Sequence, residues 1–99
     1  MRRIFTFFLT FLLGVFVTAL YAQTHTVSGT VIDKDANEPL IGANVLIKGT
    51  TIGTVTDLDG KYPLQAGDKD ILVFSYLSMK TIEEPVNGRT VINVKMASD

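Results

Sequence analysis

Two hydrophobicity patterns divide this chain. From Ile4 to Leu20 the residues form a nearly unbroken apolar run without a charge. After Gln23 the apolar positions become short and alternating, the period-2 signature of half-buried strands. His25 to Asp33 places Val27, Gly29 and Val31 on one face and Thr26, Ser28 and Thr30 on the other, with Ile32 as an apolar exception. Lys34 to Leu40 is polar, and Pro39 bars it from a central strand position. Ala43 to Lys48 predicts a second strand with Ala43, Val45 and Ile47 on one face.

The stretch Gly49 to Leu64 predicts two short strands, Ile52 to Thr56 and Lys61 to Leu64, joined by Asp57-Leu58-Asp59-Gly60. Asp59-Gly60 is a hairpin signal, because Gly accepts φ > 0 and Asp tolerates it while bonding nearby N–H groups. Gln65 to Lys69 reads as another turn. Asp70 to Tyr76 is the most continuously apolar segment after residue 23, which predicts a central strand covered on both faces. Met79 to Pro85 predicts an edge strand ended by proline, and Asn87-Gly88 a second hairpin turn. Arg89 to Met96 closes the series, with Ile92, Val94 and Met96 facing one way and Val91, Asn93 and Lys95 the other. Seven short strands at this spacing, with no helical period after Ala22, predict an all-β sandwich. Gly-Thr recurs at Gly29, Gly49 and Gly53, but the spacing is irregular and marks strand ends rather than a repeat.

The apolar run changes meaning beside its flanks. Arg2 and Arg3 precede it and Leu20-Tyr21-Ala22 follows, so residues 1–22 read as a secretory signal cleaved after Ala22 and residues 23–99 as the domain. A retained membrane anchor is the alternative, since the run is close to the length that spans a bilayer. The paired arginines have no further motif residues for twin-arginine export. The chain has no Cys, which excludes thiol nucleophiles, thiolate metal sites and lipid attachment through cysteine. An exported domain of residues 23–99 without disulfides buries only about 60% of its unfolded surface, so modest stability is expected. From Gln23 onward seven basic side chains stand against ten acidic ones. A net of −3 without a basic patch gives nucleic-acid binding no electrostatic basis.

Candidate chemistry is sparse. Asp57-x-Asp59-Gly60 resembles part of a calcium loop, but placing Gly60 at the sixth position puts Val55 first and Ala66 twelfth, neither a carboxylate. The segment reads as a structural turn. His25, the sole histidine, lies near the start of the exported part and reads as a solvent-exposed strand residue rather than a catalytic base. Glu83 and Glu84 are neighbours on a strand and point to opposite faces, so they do not converge as an acid–nucleophile pair. Asp33, Asp35 and Glu38 share one loop, best explained as solvated turn residues although weak cation binding is an alternative. Tyr62, Phe74 and Tyr76 are expected in the core, an exposed tyrosine pair for stacking on a sugar being the alternative. No catalytic, cofactor-binding or metal-ligating residue is assigned.

The order VSGTVID, EPLIGANVLIKGTTIGTVTDLDGKYPL, DILVFSYLSMKT and VINVKM across Val27 to Met96 resembles the carboxypeptidase-D regulatory-like domain that precedes plug and barrel in the SusC/RagA family of TonB-linked outer-membrane proteins. The linked set is Gly29, Pro39, Gly42-Ala43, Lys48-Gly49-Thr50, Gly53, Thr56-Asp57, Asp59-Gly60 and Phe74-Ser75-Tyr76. The resemblance implies a seven-stranded transthyretin-like Greek-key sandwich, periplasmic or outer-membrane associated, without catalysis or cofactor. It further implies an accessory module of a receptor importing glycans or other nutrients. Its partners would be the plug and barrel or an inner-membrane energy-coupling protein, often alongside a surface lipoprotein. Stable membrane insertion of the mature domain is not expected.

Two departures from that pattern stand out. The family usually has Gly and an aromatic residue where this chain has Ser78 and Met79, and Ser reaches a glycine conformation only at a cost. The sequence also stops where a plug would begin and holds none of the ten-residue alternating strands that a barrel needs. A truncated or fragmentary chain is therefore expected. The alternative is a free-standing sandwich that binds a glycan or a protein. Some metallocarboxypeptidases carry a similar sandwich beside a catalytic domain, but that catalytic part is not in this sequence.

Overall fold

The computed structural model describes residues 24–99; the expected signal segment and its cleavage point lie outside these residues. Eight strands follow one another: β1 (Thr24–Asp33), β2 (Glu38–Pro39), β3 (Asn44–Ile47), β4 (Gly53–Val55), β5 (Lys61–Gly67), β6 (Ile71–Ser75), β7 (Ile82–Pro85) and β8 (Val94–Met96). They form two four-stranded sheets. In the first, β1 pairs antiparallel with β5 along Thr24–Thr30 and with the two-residue β2 at Ile32–Asp33, while β8 runs parallel to β1. The second has the order β4-β3-β6-β7, antiparallel throughout.

The alternation seen in the sequence is the division between core and solvent. Val27 and Val31 of β1, Tyr62, Leu64 and Ala66 of β5, and Ile92, Val94 and Met96 are buried from the first sheet. Ala43, Val45, Ile47, Leu72 and Phe74 are buried from the second. Tyr62 and Phe74 meet edge to face across the two sheets, with centroids 5.5 Å apart and planes at 73°, a favoured arrangement for ring quadrupoles.

The structure corrects four details. Glu38–Pro39 is an additional short strand within the expected loop, at the rim of the sheet where proline is tolerated. Gln65 to Gly67 continues β5 rather than turning, because it pairs with Thr24, His25 and Thr26 and buries Ala66; the turn itself spans Gly67 to Asp70. β6 is central in its sheet but covered on one face only, since Ile71, Val73 and Ser75 are half-buried.

The fourth concerns the two hairpin signals. Asp57–Gly60 and Asn87–Gly88 do form tight turns, with Gly60 N–H bonded to Asp57 O at 3.0 Å and Arg89 N–H to Val86 O at 2.9 Å. Each connects strands of different sheets, however: β4 to β5 and β7 to the segment leading into β8. Asn87 and Gly88 both have positive φ (48° and 75°). Local turn chemistry is therefore as expected, and the pairing partner is not.

Candidate functional site

The acidic turn at Asp57 is a capping device. Asp57 Oδ1 accepts from the N–H groups of Asp59 and Lys61, both at 2.9 Å, which closes the turn on itself. Gly60 has φ +73°, and a β-carbon there would lie 2.6 Å from the Val31 carbonyl oxygen and 2.9 Å from Pro39 Cβ. The preceding Thr56 is buried; its hydroxyl donates to Leu40 O at 2.5 Å and accepts from Ala43 N–H at 2.9 Å. The turn thus locks three passages of chain together.

The second acidic group behaves similarly. Asp33 Oδ1 accepts from Asp35 N–H at 2.9 Å and Ala36 N–H at 3.2 Å, closing the loop that carries Asp35 and Glu38. Among the described residues, no group of three His, Cys, Asp or Glu side chains converges in a way that would hold a metal ion.

Glu83 and Glu84 point apart, as strand neighbours must. Glu83 bonds Lys48 Nζ at 2.6 Å on the outer face, and Glu84 bonds Arg89 Nη2 at 3.0 Å. His25 differs from expectation. It is half-buried rather than free in solvent, its Nε2–H donates to the Arg89 carbonyl at 3.0 Å, and Nδ1 lies 3.5 Å from Asp68 Oδ1. The ring ties the start of β1 to the 87–89 turn, a long-range contact of 64 residues that no local pattern encodes.

Tyr62 and Phe74 are core residues as expected, whereas Tyr76 is partly exposed. The two tyrosines therefore do not form one exposed stacking surface. Burial pushes the Tyr62 phenol up to about 12, against a lowering by nearby Arg89. Its hydroxyl donates to Ile92 O at 2.8 Å, so the only buried phenol among the described residues is a structural donor.

What the surface offers instead is apolar and concave. A shallow groove of about 360 Å³ is lined by Asn44, Leu46, Thr51, Gly53, Thr54 and Val55, on the outer side of β3 and β4. Ile52 and Val55 beside it are each more than half exposed. Alternation puts both residues in the expected strand Ile52 to Thr56 but carries no signal that they face solvent, since that depends on which sheet β4 joins.

These features, a two-sheet sandwich with capped acidic turns, separated carboxylates and an apolar sheet rim, define an all-β module. The chain belongs to the CarboxypepD_reg-like domain family, whose profile matches residues 27–99. It is also similar to TonB-dependent receptors. It is 43% identical over 83 residues to the TonB-dependent receptor SusC of Bacteroides thetaiotaomicron, covering 83% of this chain and 8% of that protein. A TonB-dependent receptor of Formosa agariphila is 39% identical over 89 residues, covering 89% of this chain and 9% of the receptor. A second receptor from that organism is 43% identical over 82 residues, with 83% and 8% covered. The chain spans less than a tenth of the length of these curated relatives.

Proposed function

We propose that this chain is a non-catalytic accessory module of a SusC/RagA-like TonB-dependent outer-membrane transporter for glycans or similar nutrients. Residues 1–22 act as a cleaved export signal, and residues 23–99 fold in the periplasm or against the outer membrane. The module works by contacting protein, either the plug and barrel or the energy-coupling partner of the receptor. Transport itself belongs to the remainder of such a receptor.

The observation that supports this reading is the extent of the similarity. One receptor matches over 89% of the chain, more than residues 27–99 alone supply, so the likeness runs back into the apolar N-terminal segment as well as through the sandwich. The capped state of Asp33 and Asp57 and the separate pairing of Glu83 and Glu84 agree with a role that is not catalytic.

Reading the DNA downstream of residue 99 tests the proposal. An in-frame or frameshifted plug and barrel supports it. An unrelated gene behind a clean stop overturns the transporter reading and leaves a free-standing sandwich. Cell fractionation then checks the location, with the chain expected among envelope proteins and shortened by its signal.

A further inference from the structure

The chain contains three prolines, and each lies on a sheet edge. Pro63 is in β5, opposite Ser28; the Ser28 N–H and C=O are taken by Thr90 and Ile92, so this is a wide pair and the Pro63 nitrogen faces outward. Pro39 of β2 sits opposite Ile32, next to the bonded pair formed by Leu40 N–H and Val31 O, and its nitrogen also faces away from β1. Pro85 of β7 lies opposite Ile71, whose carbonyl is used by Lys48 N–H on the other side. The outward carbonyl of Pro85 is covered by Arg89 Nη2. The remaining edge of the first sheet, β8, is three residues long, carries Lys95, and runs on into contacts between Ala97–Asp99 and Ser78–Lys80. These are the devices that keep sheet edges from pairing: proline, charge, brevity and covering chain.

β4 is as short as β8 but, among the described residues, has none of the others. Its bonded neighbours are Ile47 N–H to Ile52 O and Thr56 N–H to Ala43 O. Alternation then turns Thr54 toward β3 and leaves the N–H and C=O of Gly53 and Val55 directed out of the sheet. No proline or charged residue lies between Lys48 and Asp57. Gly53 is held without a side chain by packing, since a β-carbon would lie 2.5 Å from Val45 O and 2.6 Å from Leu46 Cδ2. Gly53 lines the groove together with Leu46 and Val55.

We infer that β4 is a strand-docking edge, on which an extended segment of a partner protein adds to the second sheet. Backbone bonds to Gly53 and Val55 set its register, and its one small apolar side chain enters the groove over Gly53. The partner segment is uncharged along β4 and basic at the end that passes Asp57 and Asp59, both exposed. A second copy of this chain is disfavoured as occupant, because the two domains would each bring a net −3 to an interface only three residues long. This inference names the contact surface of the accessory module proposed above and takes its context from that reading.

The test measures fluorescence anisotropy of the purified chain with three labelled ten-residue peptides that alternate Val and Thr around a central Ala. One ends in two Lys, one ends in two Glu, and one carries Pro at alternate positions. The Lys-ended peptide is expected to bind at least tenfold more tightly than the Glu-ended one, and the Pro-bearing peptide not at all. Val55→Pro removes an outward N–H in the manner of the native edge prolines, and Val55→Lys charges the edge while keeping the backbone. Both are expected to weaken binding at least tenfold, with Val91→Lys on the other sheet unchanged. Should Val55→Pro lose its fold by circular dichroism, Val55→Lys carries the test alone. Equal binding by Val55→Lys and the native chain, or no binding of any peptide by the folded native chain, overturns the inference. So does a native dimer in sedimentation that Val55→Lys dissociates, since the occupant is then a second copy. A chain that binds the peptide but lies upstream of an unrelated gene keeps the docking edge and loses only the transporter reading.

Discussion

Gly29 and Ile92 approach so closely that a β-carbon on Gly29 would lie 1.9 Å from the Ile92 carbonyl oxygen. The obstacle is backbone, held in place by Ile92 N–H to Ser28 O at 2.9 Å and by the Tyr62 hydroxyl on the same carbonyl. The Tyr62 ring, paired across the strands with Gly29, fills the room that the missing side chain leaves. Gly29→Ala is therefore expected to destabilise the fold by about 3 kcal/mol, the upper end for overpacking. A lowered urea midpoint at unchanged slope checks it; an unchanged midpoint contradicts the close approach.

Tyr62 makes stability depend on alkaline pH. Its phenol is held at about 12 in the fold and titrates near 10 when unfolded. Below pH 10 both states keep the proton and the stabilisation is complete. Between pH 10 and 12 the unfolded chain releases it first, so stability falls as pH rises, by roughly 2–3 kcal/mol over the window. Tyr62→Phe should be less stable at pH 7 by about 1–2 kcal/mol, through the lost bond to Ile92 O. Its stability should also fall less steeply above pH 10. Parallel pH profiles for the two proteins would refute the burial argument.

At the Asp57–Gly60 turn, Gly60→Val combines φ +73° with contacts to Val31 O and Pro39. The expected cost is about 3 kcal/mol or more. Asp57→Asn retains an Oδ1 acceptor for both N–H groups and should cost about 1 kcal/mol or less. Chemical denaturation of the two variants gives the order, and equal midpoints for Gly60→Val and the native chain would refute the assignment.

Ser78 has φ +64° at the position where the resemblance implies glycine. Relief of left-handed strain, about 1–2 kcal/mol, exceeds the entropy that glycine adds to the unfolded chain, about 0.5–1 kcal/mol. Ser78→Gly should raise stability by about 0.5–1 kcal/mol and the thermal midpoint by a few degrees. A lowered midpoint would mean that the Ser78 side chain contributes more than its backbone costs.

Much of the fold was legible because one period governs it. Ala43, Val45 and Ile47, and likewise Ile92, Val94 and Met96, alternate in the chain and are buried together. The left-handed demand at position 78 was legible too, through the departure from glycine. The sheet assignment was not: Asp59-Gly60 and Asn87-Gly88 specify dihedral angles over a few residues, and those angles do not determine which sheet the next strand enters. The contact of His25 with Arg89 and the exposure of Val55 depend on that assignment and were hidden for the same reason. The prolines were visible as strand-edge markers at Pro39 and Pro85, but their meaning as a set required knowing which edge has neither proline, charge nor covering chain.

The parallel pairing of β1 with the last strand has a mechanical consequence. Bonds from Ser28 to Thr90 and Ile92, from Thr30 N–H to Asn93 Oδ1 at 2.9 Å, and from Lys34 N–H to Met96 O at 2.8 Å span this seam. A pull on the N-terminal side of β1 against the C-terminal side of β8 slides two parallel strands past each other. The seam is loaded in shear, and its bonds must yield together rather than open one by one. A module tethered at those two points transmits tension before it unravels.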